Sequence, residues 1–261
     1  MKLPGFENVN LTLRDHTLTV ELNRPPVNAL NQAMVAELHE LAHWLAVQND
    51  IWLITLAHTG KTFCAGADLK ERAAIPDEEI ATVVKDIQQM CTAWAALPQP
   101  IIVALRGTAL GGGLELALTG DILVADETAK LGFPEVALGI IPGAGGTQRL
   151  SRRTSIAVAK KWIFTAKKFT AEEALRDGVL QFVYPVTEFE QAFAQLITQL
   201  QRNAPLALRQ AKIAIRDGAQ MTLPDALDFE SDAYAPLIAT EDRKEALQAF
   251  LSKRPPKWRG E

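Results

Sequence analysis

The chain alternates between two hydrophobic periods. From Val9 to Leu22 apolar residues recur at every second position, Leu11 and Leu13, then Leu18, Val20 and Leu22, on either side of Arg14-Asp15-His16. Successive side chains of a strand point to opposite faces, so this pattern predicts a β-hairpin. After Asn23-Arg24-Pro25-Pro26 the period changes: Val35, Leu38, Leu41, Ala42 and Leu45 share one face of a helix expected from Asn31 to about Gln48. The apolar run from Ile51 to Ala57 predicts a strand. Pro76 to Leu97 predicts a second amphipathic helix, with Ile80, Val83, Val84, Ile87, Met90, Cys91 and Trp94 on its face. Ile101 to Leu105 and Asp121 to Ala125 read as strands. Between them a short helix opens on Gly111-Gly112-Gly113, with Gly120 expected as its C′ residue. Thr170-Ala171-Glu172-Glu173 is a capping box, Gly178 should close that helix, and Val179 to Val183 reads as a short strand. The rest is helical in period: Phe189 to Asn203, Pro205 to Gly218, Leu223 to Ala233 and Thr240 to Lys253. Strand, small-residue loop and helix recur, which makes the class α/β.

Composition narrows the picture modestly. A length of 261 residues suits one large domain or a core with an appendage. The net charge of −4 argues against a surface built throughout for nucleic acid. Cys64 and Cys91 form no CxxC pair, so a reducing compartment is expected. Met1-Lys2-Leu3-Pro4-Gly5-Phe6 resembles no signal peptide, and no apolar run is long enough to span a bilayer. A cytoplasmic protein without a membrane partner is the expectation.

Candidate chemistry centres on Gly111-Gly112-Gly113-Leu114-Glu115. Glycines let backbone approach a ligand, a helix start leaves N–H groups unpaired, and a carboxylate sits in the first turn. A second small-residue loop, Ala65-Gly66-Ala67-Asp68, follows a strand. Glu135 stands alone among Phe133, Pro134, Val136 and Leu138, where a carboxylate must be solvated, paired or held for chemistry. Two carboxylates in one pocket can divide acid and base work, and two backbone N–H groups from different loops can hold an oxyanion. Proton transfer or addition beside a carbonyl is the reaction class this suggests. His39-Glu40-Leu41-Ala42-His43 matches the HExxH zinc pattern. Both histidines nevertheless fall on the flank of an apolar stripe with no third ligand marked, so no metal is expected. From Val136 to Ala171 there is no acid but seven bases, from Arg149 to Lys168, which could attract phosphate.

These motifs together resemble the crotonase (enoyl-CoA hydratase/isomerase) superfamily almost end to end. The likeness runs through Asn23-Arg24-Pro25, Asn28-Ala29-Leu30, the Phe63 to Lys70 segment and Ala109 to Ala117. It continues through Phe133 to Gly139, Pro142 to Leu150, and Phe250 with Lys253-Arg254. The resemblance implies a spiral of ββα turns over residues 1–195 and a helical region over 196–261 that forms a homotrimer or hexamer. It implies an acyl-CoA thioester substrate, with no cofactor beyond the CoA that the substrate carries. By position, Ala67 and Gly112 would supply the oxyanion hole, and Glu115 and Glu135 the acid–base pair of a hydratase. Val27, Ala29, Ala65, Asp68, Leu69, Lys70 and Gly143 would contact substrate or CoA. Phe250 and Lys253 would reach a ligand, in this subunit or a neighbouring one. The Glu241 to Phe250 ending is similar to the methylglutaconyl-CoA hydratase branch. That leaves hydration of a branched or carboxylated acyl-CoA, with RNA binding through the basic block, as an alternative. Isomerisation on the same scaffold is another.

Overall fold

The computed structural model describes residues 1–261. The hairpin forms as β1 (Val9–Arg14) and β2 (Thr17–Leu22), and α1 (Gln32–Ala46) follows, its first turn capped by the Asn31 side chain on the Met34 N–H. The chain then repeats one device. A strand enters a large sheet, a second short strand enters a small sheet, and a helix returns. The first turn is β3 (Leu53–His58), β4 (Thr62–Cys64), α2 (Leu69–Arg72) and α3 (Asp77–Ala96). The second is β5 (Ile101–Leu105), β6 (Thr108–Leu110) and α4 (Gly112–Ala117). The third is β7 (Ile122–Asp126), β8 (Lys130–Gly132), a 3-10 turn at Glu135–Leu138, α5 (Gly146–Arg153) and α6 (Ile156–Thr165). Then come β9 (Phe169–Thr170), α7 (Ala171–Arg176), β10 (Phe182–Tyr184), α8 (Val186–Gln201), α9 (Pro205–Gly218), α10 (Leu223–Tyr234) and α11 (Glu241–Leu251).

The large sheet has the order β1-β2-β3-β5-β7-β10 and the small one β4-β6-β8-β9. Apart from the hairpin and the β8–β9 pair, every pairing is parallel. Parallel strands covered on both faces lose polar alternation, and β5 is buried at all five positions. One face packs on Leu38, Leu41, Leu45 and Trp94 of α1 and α3. The other, through Leu53, Ile102 and Val124, meets Phe189 and Phe193 of α8. Residue 195 therefore lies inside a helix that covers the sheet. Arg209 of α9 ties the last helices to the core by donating to the carbonyls of Gln48, Asn49 and Ile51. No helix is long and apolar enough to cross a membrane.

Two expectations change. Segments read as loops contain β4, β6 and β8, three residues each. Gly120 is not a left-handed C′ residue, whereas Gly178 is, at φ +81°. A Cβ at Gly120 would stand 2.3 Å from Val103 Cγ2, so close packing of the loop after α4 on β5 accounts for that glycine. The capping box at Thr170 and Glu173 forms as expected.

Candidate active site

The three consecutive glycines open a turn that only they can make. Gly111 adopts φ +50° and ψ −128°, and a Cβ there would approach Glu135 Oε1 to 2.8 Å. A Cβ on Gly113 would lie 2.6 Å from both the Cβ and the carbonyl oxygen of Cys64, so α4 rests directly on β4. Gly112, between them, brings its N–H to the edge of the Ala65–Asp68 loop: its Cβ position is 3.7 Å from the Ala67 nitrogen and 4.0 Å from Glu115 Oε2.

Two backbone donors are left free at this junction. Leu30 pairs with the loop by donating to the Gly66 carbonyl and accepting from the Asp68 N–H, which turns the Ala67 N–H away from the bridge. Gly112 is the first residue of α4, where an N–H has no intrahelical acceptor. Neither group donates to another backbone group. Together they can hold an oxygen that gains negative charge.

Glu115 and Glu135 face the same cavity, of about 100 Å³, and both are buried. Their environments differ. Glu115 Oε1 accepts from the N–H groups of Ala144 and Gly146, each at 2.7 Å, so it sits at the N-terminus of α5. Burial raises its pKa, while those two donors and the Arg149 charge oppose the rise. Glu135 Oε2 is buried with no hydrogen-bond partner. Burial, reinforced by the nearby Glu115 charge, pushes Glu135 up to about 7. One carboxylate is thus held as an acceptor by fixed donors, and the other favours its protonated form. That is the environmental split that separates a base from an acid.

Ala65, Ala67, Leu69, Gly112 and Gly143 line this cavity with the two glutamates. The other expected contact residues stand elsewhere. Asp68 caps α2 through the Lys70 and Glu71 N–H groups and pairs with Arg24 at 2.8 Å, lining a neighbouring cavity of about 300 Å³. Val27 accepts from the Ala65 N–H, and Ala29 accepts from Arg24. Lys70 is exposed on α2, and Phe250 and Lys253 are exposed at the end of α11, outside the cavity lining. Sequence reasoning missed Ala144 and Gly146 as the residues that hold Glu115. Their signal was the glycine run from Pro142 to Thr147, whose use depends on a helix start 31 residues after Glu115.

Side features resolve simply. The His39 and His43 rings lie 3.1 Å apart at Nε2, and no cluster of three or more His, Cys, Asp or Glu side chains could hold a metal. The basic block is largely engaged within the chain. Arg149 donates to Ala144 O, Arg153 to Gly120 O, Lys161 pairs with Asp177, and Lys167 with Glu173. Cys64 is fully buried and burial pushes its thiol up to about 12. Iodoacetamide at about pH 8 should leave Cys64 unmodified in the native protein and alkylate it after denaturation, as read by mass spectrometry. Native alkylation at that position would contradict the packing of α4 on β4.

Residues 14–261 match the family described as enoyl-CoA hydratase/isomerase. An enoyl-CoA hydratase/isomerase of Bacillus subtilis is 42% identical over 248 residues, covering 94% of this chain and 95% of that protein. The 2,3-dehydroadipyl-CoA hydratase of Escherichia coli is 38% identical over 249 residues, covering 95% and 96%. Among solved structures, an enoyl-CoA hydratase from Bacillus anthracis superposes with a TM-score of 0.94 at 40% identity, covering 98% of this chain and all of that one.

Proposed function

The chain belongs to the enoyl-CoA hydratase/isomerase family, within the crotonase superfamily, and we propose that it is a hydratase adding water syn across the 2,3 double bond of a 2-enoyl-CoA. The observation that carries this reading is the pair Glu115 and Glu135, both in one small cavity beside the free N–H groups of Ala67 and Gly112. An isomerase needs one carboxylate to move a proton, whereas addition of water asks for a base on the water and an acid at the carbon.

The thioester oxygen accepts from the Ala67 and Gly112 N–H groups, which sets the double bond between the carboxylates. Glu115 takes a proton from water as the new C–O bond forms at Cβ. The π electrons move onto the thioester oxygen, where the two donors stabilise the enolate-like charge. Glu135 then gives its proton to Cα, and the carbonyl re-forms. Water has been added, Glu115 holds a proton and Glu135 has lost one. Proton exchange through solvent resets the pair after product leaves. No cofactor takes part in these steps.

Large apolar side chains remain exposed on the last helices, among them Ile215, Leu223, Leu227, Ile238, Phe250 and Leu251. Exposed apolar side chains in such number favour burial against other copies of the chain, which supports the homotrimer or hexamer.

The test is hydration of short, long, branched and carboxylated 2-enoyl-CoA thioesters, followed by loss of the conjugated thioester absorbance. Because Glu135 acts protonated, hydration should fall as pH rises through about 7. Isomerisation of 3-enoyl-CoA with no hydration of any 2-enoyl-CoA would replace this reading by the isomerase one.

A further inference from the structure

One cation in the active-site cavity has no partner. Arg72, the last residue of α2, lines both the cavity that holds the glutamates and the larger one beside it. It is only partly exposed, takes part in no ion pair, and its guanidinium donates no hydrogen bond within the chain. Of the acids that line the larger cavity with it, Asp68 pairs with Arg24 at 2.8 Å and Glu71 accepts from the Gln32 N–H at 2.9 Å, while Asp86 of α3 makes no ion pair with Arg72. A guanidinium stays charged at any working pH, and a half-buried one without an anion keeps an unmet demand for a carboxylate or phosphate.

The lining of the cavity says which anion suits Arg72. The cavity it shares with the two glutamates is also walled by Leu69, Val84, Ile87, Ile140 and Ile141, and Arg72 is the only base in that lining. A polyphosphate is matched by several cations on open surface. A single fork-shaped donor set in an apolar sleeve matches one carboxylate at the end of a hydrocarbon chain.

We infer that Arg72 is a specificity-determining residue that receives the terminal carboxylate of a carboxylated 2-enoyl-CoA, so that the preferred substrates of this enzyme carry an acid at the far end of the acyl chain. This rests on the hydratase reading and narrows it to a substrate class. The apolar walls hold the methylenes, the two N–H groups hold the thioester, and Arg72 fixes the other end. The double bond is then clamped from both sides over the carboxylates.

The test compares matched pairs of equal length, 2,3-dehydroadipyl-CoA with 2-hexenoyl-CoA and glutaconyl-CoA with 2-pentenoyl-CoA, in the wild type, Arg72→Met and Arg72→Lys. In the wild type kcat/KM should favour the charged member of at least one pair. Arg72→Met should lower that charged-to-neutral ratio by about tenfold to a hundredfold, the range expected for losing a charge-assisted hydrogen bond. Arg72→Lys should retain part of it, which a residue that only shapes the helix end would not do. A wild type that hydrates the neutral members and rejects both charged ones overturns the inference and leaves the hydratase reading standing. An equal fall on both members in Arg72→Met assigns the guanidinium to a CoA phosphate and also overturns it. So does an unchanged ratio. Failure to hydrate any of the four while another 2-enoyl-CoA is hydrated overturns the inference alone, and failure on every 2-enoyl-CoA removes the hydratase reading as well.

Discussion

Glu115→Gln and Glu135→Gln should each lower the rate of 2-enoyl-CoA hydration by about 10²–10⁴-fold, with the thioester still bound. Glutamine keeps the shape of either side chain. In Glu115→Gln the amide oxygen can still accept from Ala144 and Gly146, so the N-terminus of α5 keeps its partner and only proton acceptance is lost. In Glu135→Gln the unpartnered Oε2 is replaced by a group that cannot deliver a proton at working pH. The loss should appear in kcat more than in KM, because both groups act on the reacting atoms rather than on CoA. The double variant should be little slower than the worse single one, since two groups that serve one step are not additive. Steady-state hydration of crotonyl-CoA measures all three. If either single variant kept near-wild-type hydration, that glutamate would have no part in the chemistry. A Glu115→Gln protein that lost hydration but still isomerised 3-enoyl-CoA would show Glu135 working alone.

Much of this site could be read from the chain, and the unread part has a physical pattern. Glu135 stood out because a lone carboxylate between Phe133, Pro134 and Val136 breaks an apolar run, and it is buried. Glu115 stood out because of the glycines before it. The proposed oxyanion donors are different in kind. A backbone N–H has no letter of its own, and what frees those of Ala67 and Gly112 is a bridge to Leu30 and a helix start, so the glycines and the small-residue loop marked the two loops and only the resemblance named the two residues. The support for Glu115 was hidden for a related reason, since α4 and α5 meet only in three dimensions. In the fold, long periodic elements such as α1 and α3 emerged near their expected limits, while β4, β6 and β8 are too short to complete a recognisable alternation. Those three strands set the turn of the spiral. Without them the two small-residue loops cannot be seen to face each other.

Glu135→Gln should also make the protein more stable than the wild type at about pH 8, and the advantage should vanish in acid. An unfolded glutamate titrates near 4.5, whereas the folded cavity pushes Glu135 up to about 7. Between those values the folded state holds a proton that the unfolded chain has released. Its contribution to stability is therefore complete below about 4.5 and is lost as pH rises through about 7. A shift of that size corresponds to about 3 kcal/mol, and water admitted at the cavity mouth screens part of it, leaving about 1–2 kcal/mol. Glutamine carries no charge to bury and escapes the loss. Thermal unfolding of both proteins across this range isolates the effect, because every other titrating group is common to them. The Tm difference should be small near pH 4.5 and grow in favour of the variant up to about pH 8. A difference that does not change with pH would mean that Glu135 is ionised at ordinary cost in the folded protein, and it would then be a poor proton donor. On the proposed mechanism the fold gives up stability at neutral pH to keep an acid beside Cα, and the same substitution that recovers the stability should lower hydration by about 10²–10⁴-fold.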